Sequence, residues 1–130
     1  MIALDTNVLV RLLTRDDEAQ AQRAKAAFDA HAREGSLFVS DIVLVELCWV
    51  LTRSYGMMRA DISRAVRALL DNASITLESP KAVQDALTHF EAGGPDFPDC
   101  LIVAKANHAG CRAILSFDRR MIGLAGVEIL

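Results

Sequence analysis

Four carboxylates stand at positions where a chain of this kind would ordinarily place apolar side chains or plain turns. Glu46 is the one charged residue in the run Ile42-Val43-Leu44-Val45-Glu46-Leu47-Cys48-Trp49-Val50-Leu51. A helix this apolar is expected to be largely buried, and an unpaired carboxylate in it would cost roughly several kcal/mol of desolvation. A bound cation would compensate it; a buried pair with an arginine is the plainer alternative. Asp99 begins Asp99-Cys100-Leu101-Ile102-Val103-Ala104 and shares a helix face with Val103 and Ala106, so it is expected to point inward. Its plainer reading is helix-start chemistry, because Asp96-Phe97-Pro98-Asp99 places a proline in a first turn and acids beside the positive helix end. Asp96 itself reads first as the cap. Asp5 closes a short apolar run and Asp118 follows Ser116-Phe117; each is a strand-end acid, or else a turn or cap residue.

Taken together, two strand-end acids and two acids on apolar helices make physical sense if they converge, since four repelling carboxylates need positive charge between them. Ligands that are all oxygen suit Mg²⁺ or Mn²⁺, whereas zinc would recruit His or Cys. Asn7, Ser40 and Ser116 lie beside these acids, where they could orient a ligand or cap a helix. His31, His89 and His108 share no spacing, which disfavours metal-free acid and base chemistry.

The elements that would position this set alternate between strand and helix. Ile2-Ala3-Leu4 reads as a strand ending at Asp5, with Thr6-Asn7 capping a helix through Leu13. Asp16-Asp17 opens a second helix that Gly35 ends, and Leu37-Phe38-Val39 is the next strand. Ser40 or Asp41 caps the Glu46 helix, which ends near Tyr55-Gly56; an amphipathic helix over 59–72 and the strand Ile75-Thr76-Leu77 follow. Pro80 opens a helix that runs to the Gly93-Gly94-Pro95 breaker. Beyond it come a helix over 96–110, a strand at 113–115, a short helix over 118–122 and a last strand over 127–130. Parallel neighbours need crossover helices, so this order predicts an α/β fold with a mainly parallel sheet and ligands at the carboxyl ends of its strands.

At 130 residues and 52% hydrophobic content the chain is sized for one domain, residues 1–130, with no linker composition to divide it. The cysteines, Cys48, Cys100 and Cys111, are odd in number, lie in apolar segments and lack Cys-x-x-Cys spacing, which argues against disulfides and zinc. No apolar run reaches the roughly 18 to 20 residues of a membrane span. The opening residues show no targeting signal, so a cytoplasmic location is expected. The net charge of −3 is unfavourable for gripping nucleic acid, but a divalent ion on clustered acids would cancel part of it where substrate approaches.

Four segments, in order, resemble the motifs of the PIN-domain family and in particular VapC-type toxins of bacterial toxin–antitoxin pairs: Asp5-Thr-Asn7, Ser40-Asp-Ile-Val-Leu-Val-Glu46, Asp96-Phe-Pro-Asp99 and Ser116-Phe-Asp118-Arg119. Pro98 stands where many relatives carry a small residue, a departure a first helical turn accepts. The resemblance implies a three-layer α/β/α sandwich with four to five short strands. It also implies a metal-dependent endoribonuclease in which Asp5, Glu46, Asp99 and Asp118 hold one or two Mg²⁺ or Mn²⁺ ions. Asn7, Ser40, Asp96 and Ser116 would support that shell. It further implies an RNA substrate, a VapB-like antitoxin and a homodimer. Arg11, Arg15, Arg53, Arg119 and Arg120 are candidates for flanking phosphates, or else plain surface charge. An RNA-processing PIN nuclease without an antitoxin and a catalytically silent PIN module share the same acids. A phosphoaspartyl enzyme fits poorly, because Asn7 stands where its second acid belongs.

Overall fold

The computed structural model describes residues 1–130, which divide into two compact units, Met1–Ser79 and Pro80–Leu130. In the first, β1 (Ile2–Ala3) leads through α1 (Thr6–Thr14) and α2 (Glu18–His31) to β2 (Leu37–Val39). From there α3 (Asp41–Tyr55) and α4 (Arg59–Asp71) lead to β3 (Ile75–Leu77). The strands pair in the order β1-β2-β3, all parallel, with Ala3 opposite Phe38 and Phe38 opposite Thr76. Parallel neighbours cannot be joined by a tight turn, and the two helix pairs supply the crossovers.

Helical spacing fixes what this unit buries. Thr6, Leu9 and Val10 form the buried face of α1, which packs on α2 and α3; Leu44, Leu47, Cys48 and Leu51 are the buried residues of α3. Gly56 ends α3 in the left-handed conformation at φ +61°, its N–H returning to the Leu51 carbonyl, a geometry that other residues adopt at a cost.

The second unit consists of α5 (Pro80–Glu91), α6 (Phe97–His108), β4 (Ile114–Ser116), a 3₁₀ turn (Arg119–Met121) and β5 (Val127–Ile129). The two helices pack together, with Phe90 and Phe97 edge to face at 6.2 Å. The connection between them needs Gly94, because a Cβ there would stand 2.8 Å from the His89 carbonyl oxygen. β4 and β5 run parallel, Leu115 opposite Glu128.

The α/β class with short parallel strands is as expected, and the five strands form one sheet of three and one of two. Some boundaries differ. Helix α1 begins at Thr6 with Asp5 in the cap position, α2 stops at His31 well before Gly35, and α6 stops at His108 before Gly110. Gly35 serves instead in the turn into β2, at φ +64° with its N–H on the Ala73 carbonyl. No helix is long and apolar enough to cross a membrane.

Candidate functional site

In the unit formed by residues 1–79, Asp5, Asp41 and Glu78 follow β1, β2 and β3 at the carboxyl ends of the parallel strands. The Leu4 amide donates to the Phe38 carbonyl at 2.9 Å, and the chain leaves the sheet at the next residue, Asp5. Asp5 takes the N-cap position of α1 with extended backbone, yet its side chain makes no capping hydrogen bond and is exposed. An Asp in that position normally satisfies a free helix amide; this one is left available. Ser40 follows β2 directly and caps α3, its Oγ accepting the Val43 amide at 3.2 Å. Asn7 is exposed.

Glu46 lies in the second turn of α3 and is exposed, which corrects the expectation that its helix buries it. The apolar residues around it misled the sequence argument: Ile42 and Trp49, one turn to either side, are 80% and 53% exposed. Desolvation therefore does not demand a cation at Glu46, and its place in the acidic set rests on the motif alone.

Glu78 escaped sequence reasoning, and Thr6, expected with Asn7 to cap α1, instead lies inside that helix with Asp5 at the cap position. Glu78, just after β3, accepts the Asp41 amide through Oε1 at 2.9 Å, and Asp41 Oδ2 accepts the Ser79 hydroxyl at 2.8 Å. Thr6 is the one buried polar residue, 2% exposed, and its hydroxyl has no hydrogen-bond partner. Its spacing to Leu9 and Val10 was the available signal, since it places Thr6 on the inward face.

In the unit formed by residues 80–130, Asp96, Asp99 and Asp118 act on one another. Asp96 caps α6, its Oδ1 accepting the Asp99 amide at 3.1 Å, the role favoured from sequence. Asp99 is half-buried, and its carboxyl is pushed up to about 6, first by burial, then by the hydrogen bond and charge of Asp96 and the charge of Asp118, with Arg120 opposing. Ser116 Oγ accepts the Asp118 amide at 2.9 Å and so shapes the turn. Asp118 caps the 3₁₀ turn through the Arg120 amide and is gripped by the Arg120 side chain, which holds its carboxyl below the usual range. The donor set is all oxygen, the chemistry a divalent cation prefers, but no group of three or more acidic, His or Cys side chains stands close enough together to hold one.

The arginines divide by their partners. Arg11 bonds to Gln20 at 2.6 Å and to Asp16 and Tyr55 at 3.3 Å each, while Arg15 pairs with Glu18 at 3.1 Å. Arg53 lies 4.9 Å from the ring centre of Trp49, Arg120 is on Asp118, and Arg119 is exposed. His108 Nε2 lies 2.6 Å from Asp85, an exposed pair. Cys48 and Cys100 are buried, whereas Cys111, expected in an apolar segment, is exposed.

The PIN domain family model matches residues 2–127. The VapC ribonuclease of Aquifex aeolicus (strain VF5) is 30% identical over 121 residues, which is 92% of this chain and 89% of that protein. With strands and helices alternating in the order the motifs imply, and the family match spanning nearly the whole chain, the chain belongs to the PIN domain family.

Proposed function

We propose that this protein is a metal-dependent endoribonuclease and the toxin of a VapBC-type pair, acting as a single PIN domain over residues 1–130. The observation that carries the reading is the family match across residues 2–127, which contains all four motif acids. The likeness to a protein named as a VapC ribonuclease supports the narrower assignment.

Asp5, Glu46, Asp99 and Asp118 would hold one or two ions, Mg²⁺ or Mn²⁺, with Asn7, Ser40, Asp96 and Ser116 fixing the ligands around them. When bound, such an ion lowers the pKa of water and offsets charge on the scissile phosphate. The rest falls to the chain. Asp5 keeps a carboxylate clear of its own helix amides, and Asp96 spends its carboxylate on the helix and thereby fixes the backbone that carries Asp99. The reaction is hydrolysis: a water oxygen bonds to phosphorus, the bond to the 3′ oxygen breaks, and a 5′-phosphate and a 3′-hydroxyl remain.

Arg53 and Arg119, which form no ion pair within the chain, are the best placed of the candidate arginines to meet RNA phosphates. A homodimer is supported by the large exposed apolar side chains of α3, Ile42 and Trp49. A VapB-like antitoxin and a cytoplasmic setting complete the proposal.

Incubating RNA with the purified protein and Mg²⁺ or Mn²⁺, with and without chelator, and mapping product ends by sequencing tests it. Metal-dependent 5′-phosphate ends lost in Asp5→Asn are expected; cleavage that survives chelation or leaves cyclic phosphates refutes it.

A further inference from the structure

Asp118 is one of the four acids proposed to hold metal, yet its carboxylate is already occupied. Oδ1 accepts the Arg120 backbone amide at 2.9 Å and Arg120 Nε at 3.0 Å, while Oδ2 accepts Arg120 Nη2 at 2.8 Å. An ionised carboxylate offers about four acceptor positions, and one residue takes three of them. The grip is local, spanning two residues, so it forms with the 3₁₀ turn itself. It is also reversible in principle, because the Arg120 side chain is 72% exposed and its hydrogen bonds all go to Asp118. Its charge reaches Asp99 and Asp96 as well, so one guanidinium stands in for positive charge across this acidic group.

We propose that Arg120 is a built-in counterion gate: it neutralises and orients Asp118 while no divalent cation is held, and Asp118 must shed it for that cation to be taken up. The chain's own arginine thus sets metal affinity below what its carboxylates would otherwise give. The inference rests on the metal-dependent reading above, and it names a regulator of that site.

Mn²⁺ binding followed by electron paramagnetic resonance and calorimetry, without RNA, reads the gate independently of cleavage. Arg120→Gln should tighten Mn²⁺ binding on the order of tenfold, the scale on which an adjacent opposite charge competes for a carboxylate. Arg119→Gln removes the same charge from a neighbour that does not bond Asp118, and should change binding by less than about threefold, as a screened surface charge does. Arg120→Lys keeps the charge without the fork and should fall between. In a parallel NMR titration, the Arg120 Nε–H resonance should be sharp without metal and should shift or vanish on Mg²⁺ saturation. Equal effects of Arg120→Gln and Arg119→Gln, or an Nε–H signal unmoved at saturation, overturn the gate while leaving the nuclease reading intact. Absence of Mn²⁺ binding in the wild type and Arg120→Gln alike overturns both.

Discussion

Asp96 both starts α6 and loads its first turn, for it accepts the Asp99 amide at 3.1 Å and raises the Asp99 carboxyl through a side-chain hydrogen bond and its charge. The cap that forms the helix is thus one cause of the displaced acid it carries.

A pH dependence follows, with a definite sign. The Asp99 carboxyl is pushed up to about 6 in the folded chain, against about 4 when unfolded, so the folded state holds this proton more tightly. The resulting stabilisation is complete below about pH 4 and is lost as pH rises through about 6. Without metal, Asp99→Asn should therefore melt higher than the wild type at pH 8, and the difference should shrink toward pH 4. Thermal melts in chelator across that range check it; a variant less stable at pH 8 contradicts the cause assigned to the shift. Divalent affinity should climb over the same window, as the ligand must lose its proton.

Asp5 and Glu46 can be neutralised at little cost to the fold. Both side chains are exposed, and Asp5 makes no capping bond despite sitting at the cap. Asp5→Asn and Glu46→Gln should each change unfolding free energy by less than about 0.5 kcal/mol, the usual range for surface substitutions. RNA cleavage should fall by at least about a hundredfold in each, as expected when an electrostatic group at a reacting centre is lost. Urea titrations beside cleavage assays separate the two; a parallel loss of stability and activity would make them structural residues.

Glu46 also shows where an apolar pattern misleads. Strand and helix order was legible because the apolar periods switch cleanly, as at Leu37-Phe38-Val39 and Ile75-Thr76-Leu77, both found at the expected residues. Burial around Glu46 was not, since a run of apolar residues does not reveal that Ile42 and Trp49 remain exposed. The grip of Arg120 on Asp118 was hidden because it depends on a tight 3₁₀ turn, whereas the sequence suggested only a short helix. Glu78 was overlooked because its partner, the Asp41 amide, lies far away in sequence and becomes a neighbour only once β2 and β3 pair.

Thr6 offers a test of packing against polarity. A buried hydroxyl without a partner bears a desolvation penalty of about 1–3 kcal/mol. Valine has nearly the same shape and no polar atom to satisfy, so Thr6→Val should raise stability by about 1 kcal/mol. Urea unfolding decides the matter; a loss of similar size would show that the hydroxyl bonds water or an ion in solution.

Arg11 belongs to the scaffold, a conclusion that separates it from the other candidate arginines. Its guanidinium joins α1 to Gln20 of α2 and Tyr55 of α3, and the Tyr55 hydroxyl donates to Asp16 Oδ2 at 2.7 Å. Asp16 is accordingly held below the usual carboxylate range, by Tyr55 first and by Thr14 and Arg11 after it. A lowered acid contributes stability above its unfolded pKa and loses it as pH falls through its folded value, so this cluster should fail on the acid side, below about pH 4. Tyr55→Phe and Arg11→Gln should each lower the melting temperature by roughly 2 to 5 °C at pH 7, with the difference narrowing toward pH 3. Arg11→Gln should leave the salt slope of RNA binding unchanged, because its charge already has an internal partner. Arg119→Gln should reduce that slope by about one, as each released phosphate contact does. A reduced slope for Arg11→Gln at unchanged stability would move it from the scaffold to the RNA surface.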